Sequence, residues 1–264
     1  MKLGFIGCGN MANAMMGGII RNGLCKPEEV LAANPSAPAL EKAKKNLGIS
    51  TTADNTEVAK TCDVVVLSVK PQFYEEVIAE IRNAVRPEQL VVTIAPGKTL
   101  AWLAEQFGKP VQIVRTMPNT PALVGEGITA ACPNENVSEA SLDCAMRILK
   151  SFGKAEIIPE RLMDAVVSVS GSSPAYVFLL IEAMADAAVA DGMPRQQAYT
   201  FAAQAVYGSA KMVLETGRHP GELKDMVCSP AGTTIAAVRV LEEKGFRASI
   251  MDAMKACTEK AKSV

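Results

Sequence analysis

Through the first 158 positions, short stretches of β-branched and aliphatic residues recur at Leu3 to Ile6, Val30 to Ala33, Val64 to Val69, Leu90 to Ile94 and Ile113 to Met117, and these predict strands. The run Val64-Val65-Val66-Leu67 has no polar alternation, the pattern of a strand covered on both faces of a parallel sheet. Between the strands, Met11 to Asn22, Pro38 to Asn46, Gln72 to Ala84 and Leu100 to Phe107 place apolar residues at helical spacing. Strands and helices alternate, which predicts a doubly wound α/β domain over residues 1–158.

After Pro159 the pattern changes. Leu162 to Val169, Ser173 to Ala190, Arg195 to Leu214, Ala231 to Leu241 and Ala248 to Ala261 are alanine-rich and helical in period, so residues 159–264 read as an all-helical domain. The stretch Pro174 to Ile181 is apolar around its whole circumference, whereas a surface helix keeps one polar face. Glu182 and Asp186 interrupt it before the ~20 apolar residues of a membrane span accumulate. Burial in a subunit interface is therefore expected, with at least a dimer and no membrane partner.

Acidic and basic residues nearly cancel, leaving a formal net charge of -1 and no like-charge run, which excludes the electrostatic footprint of a nucleic-acid binder. The apolar start, Leu3 to Ile6, is too short for a secretory segment and enters a glycine turn at once, so a cytoplasmic protein is expected. Seven cysteines lie scattered without a CxxC pair and read as reduced thiols. With His219 the sole histidine, no metal site is predicted.

Gly7-Cys8-Gly9-Asn10-Met11-Ala12 follows the first strand and opens a helix. Gly7 suits the tight turn, Gly9 a close approach of backbone to a pyrophosphate, and Ala12 helix-to-sheet packing. The helix start then faces the anion, which makes the fold Rossmann-like and the ligand a dinucleotide. At the end of the second strand, Ala33-Asn34-Pro35-Ser36 carries no carboxylate to repel a 2′-phosphate, while Asn34 and Ser36 offer hydrogen-bond donors; NADP is favoured over NAD. Ser68-Val69-Lys70-Pro71 and Ile94-Ala95-Pro96-Gly97 lie at further strand ends, where open α/β sheets bind ligands.

Five motifs together resemble the pyrroline-5-carboxylate reductase family, the last enzymes of proline biosynthesis. They are Phe5 to Met11, Val69-Lys70-Pro71, Arg115 to Pro121, Ser170 to Tyr176 and Leu223 to Ile235, and they run from end to end of the chain. The resemblance implies hydride transfer from NADPH or NADH to the C=N carbon of a cyclic imine, giving L-proline, and dimers formed through the helical domain that in many members assemble into decamers. The implied cofactor contacts are Ile6, Gly7, Cys8, Gly9, Asn10, Met11, Asn34, Ser36, Asn55, Ser68, Val69, Lys70, Pro71, Ala95 and Pro96.

On the substrate side, Ser229 to Thr234 precedes a helical segment, whose start can hold a carboxylate. The resemblance assigns Thr234 to the imine nitrogen and Gly232 and Thr233 to the carboxylate, with Ser229 beside them. It also places Ser172 in the substrate pocket and Glu160 as a substrate-side acid. Against this stand plainer readings: an ordinary helix cap for the threonine loop, and a dipole-complementing acid for Glu160. His219, before Pro220, reads as a turn residue. The family pattern is broken at Pro96, Ser173, Met226 and Ala231. Two rival functions are a hydroxyacid or imine reductase using Lys70 as proton donor, and an NADP-binding sensor without chemistry.

Overall fold

Alternate residues of the central strands go to opposite faces of one sheet, and each face has its own core. The structure, a computed structural model, describes residues 1–262. In the first half, β1 (Leu3–Ile6), α1 (Asn10–Arg21), β2 (Val30–Ala33), α2 (Ala37–Leu47), β3 (Ser50–Thr52), α3 (Asn55–Thr61), β4 (Val64–Leu67), α4 (Tyr74–Ile81), β5 (Leu90–Thr93), α5 (Leu100–Phe107) and β6 (Gln112–Met117) follow in order. They are succeeded by β7 (Gly127–Pro133), α6 (Glu139–Lys150) and β8 (Gly153–Ile157). Leu3, Phe5, Val64 and Val66 pack with α1 and α6 on one face, and Ile6, Val65 and Leu67 with α3, α4 and α5 on the other. That division is the period-two geometry of a strand acting on an all-apolar sequence.

The eight-stranded order is β3-β2-β1-β4-β5-β6-β7-β8, parallel through β6, with β7 antiparallel to β6 and β8 parallel to β7. The order reverses between β1 and β4, so the crevice of a doubly wound sheet opens at the carboxyl ends of those two strands. The predicted strands are all present. The sequence pattern did not disclose β3, β7, β8, α3 or α6. β3 is Ser-Thr-Thr with no apolar run, and β8 is an edge strand carrying Lys154 and Glu156, the charged composition that edges favour.

The helical half contains α7 (Met163–Val166), a π-helical turn at Val167–Gly171, α8 (Ser173–Ala190), α9 (Arg195–Thr216), α10 (Pro220–Val227), α11 (Thr233–Glu243) and α12 (Phe246–Ala261). By packing, the described residues divide into two compact units, 1–172 with 257–262, and 173–256, so the segment 159–172 packs with the sheet. The physical reason lies in the packing of 158–172. Met163 is buried against Met117, Ala130 and Cys132, with Ile158, Val166 and Val167 around them, which ties this segment to the sheet.

In the second unit, α8 buries only Ala185 within the single chain and leaves Phe178 and Leu179 more than 60% exposed. The helical stretch Glu160–Ala190 is long and apolar enough to cross a membrane by length and composition alone. Its burial, expected from the sequence, is not supplied by the chain itself.

Candidate active site

The glycine turn is held by its neighbours so that its carbonyls are occupied. Gly7 takes φ +108 and donates its N–H to Ala33 O at 2.8 Å. Ser68 Oγ donates to Ile6 O at 3.1 Å and Gly7 O at 2.9 Å, and Asn13 Nδ2 donates to Cys8 O and Gly9 O at 2.8 and 2.9 Å. Carbonyl oxygens would repel a phosphate, so tying back four of them leaves the N–H groups as the groups offered. Gly9 is the N-cap of α1 and no side chain caps the helix start, which leaves its first-turn donors for an anion. A Cβ at Gly9 would meet no protein atom within 4 Å, so the space beside this turn is open.

A cavity of about 590 Å³ extends from this turn along the strand ends. Of the predicted contacts it is lined by Gly7, Cys8, Gly9, Asn34, Asn55, Ser68, Val69 and Lys70. Volume, position at the switch point and open donors all fit a dinucleotide. Ile6 and Ala95 are buried, so only their backbone can serve, and Asn10, Met11, Ser36, Pro71 and Pro96 lie outside the lining. Asn34 Oδ1 accepts from the Ser36 N–H at 2.9 Å, which leaves its amide nitrogen as the remaining donor of a side chain that lines the cavity. Asn55 Nδ2 donates to Glu80 at 2.8 Å, and Glu76 and Glu80 complete the far wall.

Tyr74 supports the crevice from beneath. Fully buried, it donates through its hydroxyl to Leu67 O at 2.5 Å and accepts from Ile94 N–H at 3.3 Å, joining the ends of β4 and β5. Burial pushes the Tyr74 phenol well above the ordinary range and raises the Cys8 thiol from 9.0 to about 11. Between these limits the unfolded chain releases protons that the native state retains, so this stabilisation is complete below pH 9 and lost as pH rises through about 11. Urea midpoints should fall steadily over that window, and Cys8→Ala should flatten the decline; midpoints flat to pH 11 would contradict it.

Ser172 follows the π-helical turn, and its N–H donates to Val167 O at 2.8 Å. Asn119, from the Arg115-to-Pro121 motif, bridges this turn to the sheet. It donates to Ser170 O at 3.1 Å and accepts from Ile128 N–H at 2.9 Å. The motif was legible in the sequence, but nothing there assigned Asn119 a task. Glu160 Oε1 accepts from Arg115 Nη1 and from Leu100 N–H, both at 2.7 Å, so this oxygen anchors a buried guanidinium and caps α5. Glu160→Gln should cost about 2 kcal/mol, reduced from the ~3–5 kcal/mol of a fully buried pair because the glutamate is 32% exposed. Thermal melts would test this, and an unchanged Tm with raised KM for the imine would favour direct substrate contact instead.

In the second unit, Gly232 is the N-cap of α11 and no side chain caps that helix either. Thr233 and Thr234 form its first turn, with Gly232 N–H donating to Ser229 O at 3.0 Å. A Cβ on Gly232 would crowd the Ser229 hydroxyl, which would have to rotate aside, so the loop is tight at this point. Ala231, which replaces a family glycine, takes φ +56, a conformation that costs an L-residue roughly 1–2 kcal/mol. The loop thus presents uncapped N–H donors beside two threonine hydroxyls, which can hold a carboxylate and offer a proton-bearing group. His219 caps α10 by accepting from Gly221 N–H at 3.1 Å, in keeping with its reading as a turn residue.

Comparison with known proteins gives two family models, one for pyrroline-5-carboxylate reductase dimerisation over residues 160–264 and one described as NADP oxidoreductase coenzyme F420-dependent over 2–97. The pyrroline-5-carboxylate reductase of Escherichia coli (strain K12) is 52% identical, covering 100% of this chain and 98% of its own length. That of Methanosarcina acetivorans is 44% identical over 100% and 97%. Among solved structures, the Plasmodium falciparum pyrroline carboxylate reductase with NADP bound superposes with a TM-score of 0.91 at 35% identity, covering 100% of this chain and 97% of that one.

Proposed function

The chain belongs to the pyrroline-5-carboxylate reductase family, and we propose that it performs the family reaction with Thr234 and Ser172 at the reacting centre. It is an NAD(P)H-dependent oxidoreductase that reduces 1-pyrroline-5-carboxylate to L-proline, with NADP the favoured cofactor and NAD the alternative. The observation that carries the assignment of roles is that α1 and α11, one in each unit, both start from a glycine N-cap with no side-chain cap, each beside small polar residues.

A reduced nicotinamide held in this crevice would supply the hydride that the C=N carbon accepts. Cys8, Gly9, Asn10 and Met11 hold the pyrophosphate by backbone N–H groups, Gly7 forms the turn that aims them, and Ile6, Ser68, Val69, Lys70, Pro71, Ala95 and Pro96 lie along the strand ends. Asn34, Ser36 and Asn55 take the adenosine end. The Thr233 N–H at the start of α11 holds the substrate carboxylate, in the tight turn that Gly232 closes onto Ser229, whose hydroxyl lies beside it. The imine nitrogen takes its proton from solvent water, the Thr234 hydroxyl hydrogen-bonds that nitrogen, and Ser172 orients the ring. A readily reduced, protonated imine needs no stronger acid. Glu160 acts through Arg115, by fixing the segment that ends at Ser172.

Residues 1–158 serve as the NAD(P)-binding domain and 159–264 as the substrate and dimerisation domain. The bare face of α8 is covered by a second copy of the chain, not by lipid. The dimerisation match over 160–264 and the polar Glu182 and Asp186 within that helix support this reading. Decamers built from such dimers, in the cytoplasm and without nucleic acid, complete the proposal. Its test is oxidation of NADPH on adding pyrroline-5-carboxylate, with L-proline formed in equal amount and NADH slower. No oxidation with either cofactor would overturn the reading, and oxidation of hydroxyacids alone would favour the Lys70 alternative.

A further inference from the structure

The last turn of α12 returns from the helical half to pack in the first unit, and two of its side chains reach the π-helical turn. Cys257 Sγ lies 3.2 Å from Ser172 Oγ, and Thr258 Oγ1 donates to Ser168 Oγ at 2.9 Å. These contacts join positions 85 and 90 residues apart in sequence. Ser168 is buried and donates to Ala165 O at 2.9 Å, so Thr258 is fixed to an anchored hydroxyl. Asn119 holds Ser170 from the sheet side of the same turn. A π-helical turn has a looser hydrogen-bond ladder than an α-helix and is a common device for presenting a functional residue.

We propose that Cys257 is a positioning residue for the Ser172 hydroxyl, with Thr258 fixing the register, so that the end of α12 sets the substrate-side serine in its working rotamer. This rests on the reading of Ser172 as a substrate residue. The chemistry of the pair gives the contact a direction. The thiol S–H donates to a Ser172 lone pair, and the serine's own O–H is then turned to donate elsewhere, toward a substrate acceptor. Without the thiol, the hydroxyl is free to rotate and to donate back to a local carbonyl, the habit of serine in helical backbone. Because the contact orients a substrate-side group and touches nothing at the glycine turn, its loss should be felt by the imine and not by the nucleotide.

The test is steady-state kinetics on the full-length enzyme. Cys257→Ala should lower kcat/KM for pyrroline-5-carboxylate about threefold to tenfold, the size of one lost neutral hydrogen bond, with the KM for NADPH unchanged. Cys257→Ser, which keeps a donor, should recover most of the loss. In a Ser172→Ala background, Cys257→Ala should add nothing further, since the group it positions is gone. Wild-type imine kinetics for Cys257→Ala, a parallel rise in NADPH KM, or a loss that persists undiminished in the Ser172→Ala background would each overturn the positioning role while leaving Ser172 in place. Unchanged imine kinetics for Ser172→Ala alone would overturn the role of the serine and of its positioning residue together.

Discussion

Thr234→Ala is expected to lower kcat about 100-fold or more while leaving the KM for NADPH nearly unchanged, because a proton-positioning hydroxyl contributes roughly 10²–10⁴ in rate. Thr234 stands in the first turn of α11, a turn with no side-chain cap, so its replacement by alanine leaves the backbone donors of Thr233 and of position 234 in place. The substrate carboxylate keeps its partners, and the loss falls on the step in which the nitrogen gains its proton. Equal decreases in kcat and kcat/KM are the signature of an interaction made in the transition state only. Thr234→Ser retains the hydroxyl and should recover most of the rate. A loss of NADPH affinity as large as the loss of rate, or full activity in the alanine enzyme, would remove Thr234 from the reacting centre.

The second large effect is structural in origin. Gly7→Ala would place a Cβ 2.7 Å from the Ser68 carbonyl carbon and oxygen and 2.9 Å from Val69 N, at a backbone φ of +108. All three atoms are backbone, so no side chain can rotate aside, and the φ value is one that only glycine adopts without strain. The end of β4 must move, and with it Ser68, whose hydroxyl holds the turn's own carbonyls. A destabilisation of at least about 2 kcal/mol is expected from strain of this kind, together with loss of NADPH binding. Gly9→Ala separates the two effects. Its Cβ meets no protein atom within 4 Å, so the enzyme should melt as wild type yet bind NADPH at least about tenfold more weakly, because the methyl occupies ligand space. Wild-type NADPH affinity in Gly9→Ala would show that the pyrophosphate does not lie over this turn.

The parallel sheet was legible because its central strands are fully apolar and its first turn needs glycines in a fixed pattern. Val64 to Leu67 and Gly7 to Ala12 carry their structural reasons locally. The crevice could be read for the same cause: strand ends converge at the switch point by topology, and residues there are neighbours in space whatever their distance in sequence. Side chains whose tasks are set by remote partners gave no such signal. Asn13 and Tyr74 look like an ordinary helix residue and an ordinary core aromatic, and their roles depend on which carbonyls and N–H groups lie within reach. Asn119 sat within a recognised motif, yet only its bridge between Ser170 and Ile128 explains it.

Glu160 shows the limit most sharply. From the sequence it is an acid after a proline, open to a substrate or dipole role, and its pairing with buried Arg115 exists only because β6 and the segment after β8 meet in the folded sheet. The edge strands and the division at Ser172/Ser173 were likewise decided by packing: Met163 joins the sheet core, which no periodicity in 159–172 announces. By itself the sequence determined the doubly wound sheet, the glycine turn and the apolar α8, since each follows from local stereochemistry or from how much apolar surface a segment must bury. Only the tertiary structure decided which hydroxyls, carboxylates and thiols face one another, because hydrogen bonds act over about 3 Å and that proximity is created by folding.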